Sequence, residues 1–471
     1  MIEYDFKNQA IADIVNTMII YAVSRRASDI HFDPCEEGLK VRFRIDGVLQ
    51  DHTLVPLDYQ RNLTTRVKLI SSMNITELRL PQDGAIKGNI NGIDLDMRVS
   101  SLNTNLGEKI VIRILDYTKS TEGLDSLGFS KKNLEKIKKM ISVPNGIILI
   151  TGATGSGKST TVYTMLQTLN TEDTNIITVE DPIEMNIEGI NQVQVNAEIG
   201  LTFGRVLRSI LRQDPNIILI GEIRDNETAQ IAVRASITGH LVFSTIHTNN
   251  SLSTIERLMD MNVERYLLSS ALTGIVSQKL ARRMCPHCKK ERPTTLYEKK
   301  LFKQYLDKDV DMVYDVSGHC DSCRNGYSGR IAIQEVLLID DYLRDAINNE
   351  NLSREELRKL VYNGNVTTLL QDGLEKVLDG ITSFEEIYKL IEIDDELDTL
   401  YGEDVPINPD SNQNNVNNPE NNELKPTSNN NENKDVLGLG PNVNDTETLN
   451  VTPKEEYPDK TELLDLGTLT N

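Results

Sequence analysis

The chain has 471 residues, with 71 acidic against 50 basic residues, a net charge of −21, five cysteines and no tryptophan. Its length suggests about three folded units, and cysteines this sparse exclude a disulfide scaffold. No apolar run approaches the roughly 18 residues of a membrane-spanning helix. Residues 1–5 also lack the basic and apolar regions of a secretory signal, so we expect a cytoplasmic protein.

The negative charge is concentrated towards the carboxyl end. Residues from 391 onward carry a net −15, which leaves only −6 for the first 390 residues. Residues 406–450 are about one-third Asn and hold few aromatics, a composition that cannot bury enough apolar surface to offset the entropy of ordering. We predict a disordered, acidic, Asn-rich tail at 399–471. The body has no evident Lys/Arg stripe with interleaved aromatics, so no nucleic-acid partner is expected.

Residues 1–120 predict an amino-terminal α+β domain. Apolar side chains recur at helical spacing over 8–27, and the pattern then alternates with a period of two. The pairs Asp46-Gly47 and Asn91-Gly92 predict hairpin turns. Arg98 and Arg113 fall on predicted strands. Taken alone, they favour a solvated sheet face or a local ion pair over a subunit interface or an anion site.

A phosphate-binding loop follows a predicted buried strand at 146–151. It matches the pattern G-x-x-x-x-G-K-[ST] and leads into a predicted helix at 158–169. The glycines let backbone N–H groups approach phosphate oxygens at the positive end of that helix. Lys158 would reach the β- and γ-phosphates of ATP, and Ser159 would bind Mg²⁺. The loop comprises Gly152, Ala153, Thr154, Gly155, Ser156, Gly157, Lys158, Ser159 and Thr160.

Two further predicted strands end in acidic residues. The run 216–221 ends at Glu222, as a Walker B strand ends in an acid that orients water or holds the metal through water. The run 175–179 leads into Glu180 and further acids. Three parallel strands that end in polar groups or a glycine loop predict an α/β fold with a RecA-like ATPase core at 121–280. The site is expected at their carboxyl ends.

Other polar residues lie near these strands in the sequence. His240 and His247 bracket another predicted strand, and Arg208 and Arg212 share one helix face. Such histidines are more often structural than catalytic, and such arginine pairs are usually solvated. Beside an ATP site, however, the arginine pair would stabilise developing phosphoryl charge.

Four cysteines form two C-x-x-C pairs separated by 31 residues, namely Cys285, Cys288, Cys320 and Cys323. Two such knuckles supply the four thiolates that a tetrahedral Zn²⁺ prefers. In a cytoplasmic chain the spacing indicates a structural zinc site, with a redox pair or unconnected thiols as alternatives. We place this zinc lobe at 281–330 and closing helices of the ATPase domain at 331–398, the last one capped by Thr382 or Ser383. Cys35 has no partner in the pattern.

The motifs in this order resemble the secretion ATPase superfamily that powers type II secretion and type IV pili, over about residues 8–395. The resemblance is carried by ASDIHF at 27–32, RIDGV at 44–48, LPQDG at 80–84, DMRVS at 96–100, the phosphate loop, EDPIE at 180–184, the Glu222 strand and the histidine segment at 240–247. The four-cysteine lobe resembles that of the assembly and secretion motors of PilB and GspE type rather than retraction motors.

The resemblance implies a homo-hexamer whose subunits pair a PAS-like α+β domain with the RecA-like domain. Arg98 and Arg113 would then point towards nucleotide, and Arg208 and Arg212 would complete the site of a neighbouring subunit. The chain departs from many relatives at Ala85, where they have an arginine whose role would be lost or taken by Lys87.

The resemblance also implies roles for the acids and histidines. Glu180 would activate the attacking water, Glu222 would polarise it with Mg²⁺, and His240 and His247 would sense the γ-phosphate. The chain would act at the cytoplasmic face of the membrane through an inner-membrane platform protein and drive type IV pilus assembly. The alternatives are a type II secretion or DNA-uptake pseudopilus motor, a RecA-like nucleic-acid translocase, or a scaffold that binds ATP without hydrolysing it.

Overall fold

The amino-terminal part is a six-stranded antiparallel sheet with two helices packed on one face. A computed structural model describes residues 4–90, 93–115, 123–320, 323, 325–362 and 366–392, and the predicted tail at 399–471 lies outside them. The sheet has the order β3-β2-β1-β6-β5-β4. Its elements are α1 (Ile11–Ser24), β1 (Ala27–Cys35), β2 (Gly38–Ile45), β3 (Val48–Pro56), α2 (Leu57–Ile70), β4 (Gln82–Ile90), β5 (Ile93–Thr104) and β6 (Gly107–Leu115).

The two faces of this sheet differ in chemistry because successive strand residues point to opposite sides. Ile30, Phe32 and other apolar side chains pack against α1 and α2 in one buried cluster. The other face carries ion pairs such as Arg42–Asp33 and Arg44–Asp29. The predicted turn at Asp46-Gly47 joins β2 to β3, which confirms that hairpin. The turn predicted at residues 91–92 lies outside the described residues, although β4 and β5 pair on either side of it.

The part of the chain that follows residue 123 is built on a seven-stranded sheet of order β15-β12-β7-β11-β10-β8-β9. The strands from β12 to β9 are parallel, and β15 runs antiparallel to β12. They are β7 (Gly146–Thr151), β8 (Ile176–Glu180), β9 (Asn191–Gln194), β10 (Ile217–Ile220), β11 (Leu241–Ile246), β12 (Leu272–Met284) and β15 (Tyr327–Leu338). The helices packed with this sheet include α3 (Lys131–Ile141), α4 (Lys158–Leu169), α5 (Phe203–Ile210), α6 (Asn226–Ile237), α7 (Ser251–Asp260) and α8 (Arg265–Ala271).

Burial on both faces explains why the parallel strands are continuous apolar runs in the sequence. Every residue of β7, β10 and β11 is buried. Apolar clusters on the two sides of the sheet contain different members of the same strands, for example Ile147 in one and Ile148 in the other. The central position of β7 therefore fixes the phosphate loop between two layers of packing.

A small lobe is inserted between β12 and β15. It consists of β13 (Lys289–Pro293), α9 (Leu296–Leu306) and β14 (Met312–Val316), with β13 and β14 paired antiparallel. After β15 come α10 (Asp341–Asn348), α11 (Arg354–Val361), α12 (Leu369–Leu378) and α13 (Phe384–Glu392). Ser383 caps α13, since its hydroxyl accepts a hydrogen bond from the Glu386 N–H at 3.3 Å.

The predicted helical segment at 331–398 was wrong at its start, because residues 331–338 belong to β15. The run is rich in β-branched residues and pairs with β12 over its whole length, so two buried faces favour a strand. The turn between β2 and β3 touches this strand, where the Gly329 N–H donates to Asp46 Oδ2 at 3.0 Å. Among the described residues, no helix has the length and apolar character needed to span a membrane.

Candidate ATP site and metal site

The predicted phosphate loop joins β7 to α4 at the carboxyl edge of the parallel strands. Gly152, Gly155 and Gly157 have φ angles of 144°, 82° and 88°, which side-chain-bearing residues rarely adopt. A Cβ on Gly152 would also lie only 2.3 Å from the Gln278 carbonyl oxygen. Backbone conformation and close packing therefore both require glycine in this loop.

Helix α4 begins without a side-chain cap. Its N-cap Gly157 makes no cap hydrogen bond, whereas a side chain caps each of α3, α5, α6 and α7. The first N–H groups of α4 and its positive dipole end are thus available to an anion. Lys158 lies at the same end, with Nζ 2.8 Å from the Gly152 carbonyl oxygen. This arrangement fits a phosphate, and the exposed hydroxyl of Ser159 is placed to bind Mg²⁺.

Gln278 on β12 braces the loop from the neighbouring strand. Its amide Nε2 donates to the Ser156 carbonyl oxygen at 2.6 Å, and its Oε1 accepts from Thr161 Oγ1 at 2.8 Å. The side chain is buried, so both hydrogen bonds are shielded from water. No sequence motif identified Gln278.

Glu222 follows β10 and lies in a cluster of charged groups. Its Oε1 is 2.6 Å from Arg224 Nη2, and its Oε2 is 3.6 Å from His247 Nε2. Burial lowers the pKa of Lys158, and the carboxylate of Glu222 opposes that shift. Burial and the charge of Lys158 also lower the pKa of His247, which keeps its imidazole neutral at pH 7. Sequence analysis did not identify Arg224 as part of the site. Its position two residues after Glu222 could have indicated it.

Glu180 ends β8, the strand beside β10, and its side chain is buried in a hydrogen-bond network. Oε1 accepts from Thr178 Oγ1 at 2.6 Å and from Gln192 Nε2 at 3.1 Å. The Tyr163 hydroxyl donates to Oε2. Three donors from three elements therefore fix the orientation of this carboxylate.

Arg98 reaches from β5 to the segment that follows β8. Its Nη2 donates to the Ile183 carbonyl oxygen at 2.7 Å and lies 3.2 Å from Glu184 Oε2. Arg113 is the cross-strand partner of Arg98, but its Nε pairs with Asp29 Oδ1 at 3.1 Å. Thus one of the two arginines contacts the acidic segment after β8 and the other forms an ion pair within the amino-terminal sheet.

Ala85 faces Arg98 across the β4–β5 ladder. The residue at this position therefore lies directly beside the arginine that contacts the segment after β8. Lys87 is two residues further along β4, with Nζ 3.6 Å from Asp96 Oδ2. Its ammonium group thus faces a carboxylate of the neighbouring strand β5.

The other two predicted arginines lie on the surface near α5. Arg208 forms an ion pair with Glu227 of α6, and the Arg212 Nη1 donates to the Arg208 carbonyl oxygen at 2.7 Å. Both side chains are exposed, and their hydrogen bonds join them to α5 and α6. The structure does not bring them to the phosphate loop of their own chain.

The two predicted histidines lie at opposite edges of the sheet. His247 follows β11 at the carboxyl edge, next to Glu222, whereas His240 precedes β11 at the amino edge. A six-residue strand separates them by about 20 Å. The His240 ring Nδ1 lies 2.9 Å from the Ala235 carbonyl oxygen. Within one chain, His247 is therefore the histidine placed beside the phosphate loop.

The four predicted metal ligands converge in the inserted lobe, with all four Sγ atoms within 4.8 Å of one another. Cys285 Sγ lies 3.8 Å from Cys320 Sγ, and Cys288 Sγ lies 3.4 Å from Cys323 Sγ. A disulfide would need about 2.05 Å, whereas the edge of a tetrahedron with Zn–S bonds of about 2.3 Å is about 3.8 Å. Burial and the neighbouring thiols raise the pKa of Cys288, and a bound cation would favour its thiolate form. The residues fit Zn²⁺.

A family model described as Type II/IV secretion system protein matches residues 5–389. The chain belongs to this family. Among its relatives, the Type II secretion system ATPase E of Vibrio cholerae is 44% identical over 381 residues, which cover 81% of this chain and 75% of the relative. The Type IV pilus assembly ATPase PilB of Myxococcus xanthus is also 44% identical over 381 residues, covering 80% of this chain and 67% of the relative.

Solved structures of an ATPase and of a pilus retraction motor share the fold. The Legionella pneumophila ATPase DotB superposes with a TM-score of 0.62 at 23% identity, covering 82% of this chain and 98% of that chain. The pilus retraction motor PilT with bound ADP gives a TM-score of 0.55 at 25% identity, covering 80% of this chain and 96% of that chain. This member of the Type II/IV secretion family is thus an ATPase with an α/β fold and a four-cysteine cluster.

Proposed function

We propose that this chain forms a homo-hexameric motor that hydrolyses ATP to power type IV pilus assembly at the cytoplasmic face of the membrane. The proposal rests mainly on one observation: the phosphate loop, Glu222 and His247 lie together at one edge of the sheet. Arg98 of the amino-terminal part is hydrogen-bonded to the adjacent acidic segment. The site and the part that would move are therefore in direct contact.

Each residue of the site has a role that follows from its position. The uncapped end of α4 and Lys158 bind the phosphates, and Ser159 binds Mg²⁺, which neutralises phosphate charge when it is bound. Glu222 orients water near the γ-phosphate, Arg224 pairs with its carboxylate, and His247 lies beside it. Glu180 assists in activating that water.

The surface arginines suit a role across a subunit boundary. Arg208 and Arg212 are exposed, and their polar contacts are with α5 and α6 and not with the phosphate loop. In a head-to-tail ring, each subunit can present such groups to the next one, where they stabilise charge in the transition state. We also propose, on the basis of the family resemblance, that Arg113 points towards nucleotide from the amino-terminal domain and that His240 senses the γ-phosphate together with His247.

We propose that the chain divides into an amino-terminal domain at 1–120, a RecA-like core at 121–280, a zinc lobe at 281–330 and a closing part at 331–398. The strand order β2-β1-β6-β5-β4, with helices on one face, supports a PAS-like amino-terminal domain. Nucleotide-dependent motion of this domain would be passed to an inner-membrane platform protein. The cysteine geometry supports structural Zn²⁺ in the lobe.

Type II secretion is the second candidate, because relatives from that system are as similar as PilB, at 44% identity. A pseudopilus motor for secretion or DNA uptake would use the same chemistry. A nucleic-acid translocase is disfavoured, since the acidic balance gives no basic track for a phosphate backbone.

The test compares ATP turnover of the full chain with that of Lys158→Ala and Glu222→Gln. We expect both variants to lose at least about 100-fold in kcat, with Glu222→Gln retaining nucleotide binding. A variant with full turnover would overturn the enzyme mechanism. In the host cell, deletion of the gene and rescue by each variant separates the candidates: loss of surface pili supports pilus assembly, and loss of secreted proteins with intact pili supports secretion.

A further inference from the structure

Tyr163 connects three parts of the ATP site through one buried hydroxyl. It lies in the second turn of α4, the helix that begins at Lys158, and its side chain is 4% exposed. Its hydroxyl donates to Glu180 Oε2 and accepts from the Glu184 N–H at 3.2 Å. Both capacities of a buried phenol are therefore used, which a side chain needed only for packing would not require.

The same acidic segment is bonded from the opposite side by the amino-terminal domain. Arg98 donates to the Ile183 carbonyl oxygen and pairs with Glu184, while Tyr163 accepts from the backbone of Glu184. Residues 183–184 are thus held between β5 and α4. Among the described residues, the other hydrogen-bond donors to the Glu180 carboxylate come from β8 and β9, so Tyr163 is the donor that belongs to the phosphate-binding helix.

We propose that Tyr163 is a positioning residue that links the phosphate-binding helix to Glu180 and, through residues 183–184, to Arg98 of the amino-terminal domain. A small displacement of α4 on phosphate binding moves the phenol. The phenol then carries Glu180 and the Arg98-bonded segment with it, because both are hydrogen-bonded to one oxygen atom. This inference rests on the proposed role of Glu180 in activating water.

The central test is Tyr163→Phe in the full chain, which removes one oxygen atom and keeps the ring that packs in the core. We expect kcat for ATP to fall about tenfold, while KM and the dissociation constant of a fluorescent ATP analogue change less than twofold, since Lys158 and the loop are untouched. The matched control is Tyr342→Phe at a tyrosine that is 57% exposed, and it should retain wild-type kinetics. A rise in KM with unchanged kcat would overturn the proposal.

The link to the amino-terminal domain is tested by a double-mutant cycle with Arg98→Ala. If both side chains act through residues 183–184, the combined loss in kcat should be at least threefold smaller than the product of the single losses. Multiplicative effects would show that the two side chains act independently, and they would overturn the link.

Glu180→Gln separates failure of this inference from failure of the proposed function. If Glu180→Gln loses turnover while Tyr163→Phe keeps it, the positioning role is overturned and the function of Glu180 stands. If Glu180→Gln itself keeps full turnover, the role of Glu180 fails and the inference fails with it, although the motor assignment still depends on Glu222 and Lys158.

Discussion

At the scale of single residues, the phosphate loop depends on a side chain outside its motif. Gln278 holds the Ser156 carbonyl oxygen and the Thr161 hydroxyl in a buried setting. Replacing it with an apolar side chain of similar size leaves both partners unpaired, which costs more than the net value of the two hydrogen bonds. The loop should then sample conformations less suited to phosphate.

We therefore expect Gln278→Met to raise the KM for ATP about tenfold, equivalent to about 1.4 kcal/mol, with a smaller effect on kcat. Steady-state ATPase kinetics measures both constants. Gln304→Met, at an exposed position on α9, is the control and should leave both unchanged. Equal KM values for the Gln278 variant and the wild type would show that the brace contributes nothing to binding.

His52 gives the amino-terminal domain a pH-dependent stability. The side chain is buried, its ring centroid lies 4.2 Å from that of Phe43, and its Nε2 is 2.7 Å from the Tyr4 hydroxyl. Burial lowers the pKa of His52 to about 4, below the usual value of about 6.5 for an unfolded chain. The unfolded state therefore binds the proton first, and the contribution to stability is complete above pH 6.5 and lost as pH falls towards 4.

The expected loss is about 2 kcal/mol between pH 7 and pH 4, less than the full shift implies because the imidazole keeps some solvation. Urea unfolding followed by tyrosine circular dichroism at several pH values measures it. His52→Phe keeps an aromatic ring in the cluster and should show a shallower loss over the same range. Identical pH profiles for the two proteins would exclude His52 as the cause.

The residues that sequence analysis found and those it missed differ in how their partners are spaced along the chain. Lys158 and Glu222 belong to local patterns that reflect the chemistry of phosphate and metal. Gln278 acts on residues more than 115 positions away, and the partners of Tyr163 lie beyond its own helix. Such contacts exist only after the strands have assembled, so no local pattern records them.

At the scale of elements, the lobe inserted between β12 and β15 consists of the β13–β14 pair and α9, with the four-cysteine cluster at one end. The lobe buries few apolar side chains of its own. Phe302 and Val313 belong to a buried cluster that also includes residues of α12 and α13. A lobe of this size gains stability from a bound metal. We expect about one zinc per chain in protein purified without chelator, and elemental analysis measures it.

Cys285→Ser should lose most of that zinc, and amide hydrogen exchange should become faster in β13 and β14 as the lobe loosens. Cys35→Ser provides the matched control, because Cys35 lies in the amino-terminal sheet and outside the thiol cluster. Wild-type protein without zinc, or a Cys35 variant with the same loss as Cys285→Ser, would contradict the metal assignment.

The elements found from sequence were those with a clear period or flanking motif. Helix α4 has the predicted bounds, and the strands at 146–151, 175–179 and 216–221 appear within about one residue. Strand β12 gave no such signal, since it contains Ser277, Gln278 and Lys279 in its middle. Each of these polar groups has a hydrogen-bond partner in the folded chain. Ser277 donates to the Asn249 carbonyl oxygen, Gln278 to the phosphate loop and Lys279 to the Leu390 carbonyl oxygen.

At the scale of the whole molecule, the exposure of Arg208 and Arg212, whose polar contacts are with α5 and α6, predicts active sites shared between subunits. Lys158→Ala and Arg212→Ala chains should each be inactive alone. When they are mixed and reassembled, about a quarter of the interfaces would pair an intact loop with an intact arginine, so ATPase activity should partly return. ATP turnover of the mixture against each variant alone measures this.

The control is a mixture of Lys158→Ala with Glu222→Gln, whose lesions lie in the same part of each subunit's own site. An intact loop and an intact Glu222 then never occur in one chain, and activity should not return. Activity in the control mixture, or none in the test mixture, would contradict a site completed across the ring.

Because α4 begins without a side-chain cap, bound nucleotide should stabilise the folded chain as well as serve as its substrate. Without a phosphate, the helix keeps unpaired N–H groups at its first turn, whereas a bound triphosphate supplies acceptors there and adds about 2.7 kcal/mol of stability at a hundredfold excess over the dissociation constant. A chain whose site is empty of nucleotide would therefore be easier to unfold and degrade. Nucleotide occupancy would then affect how many copies survive as well as the rate of ATP hydrolysis.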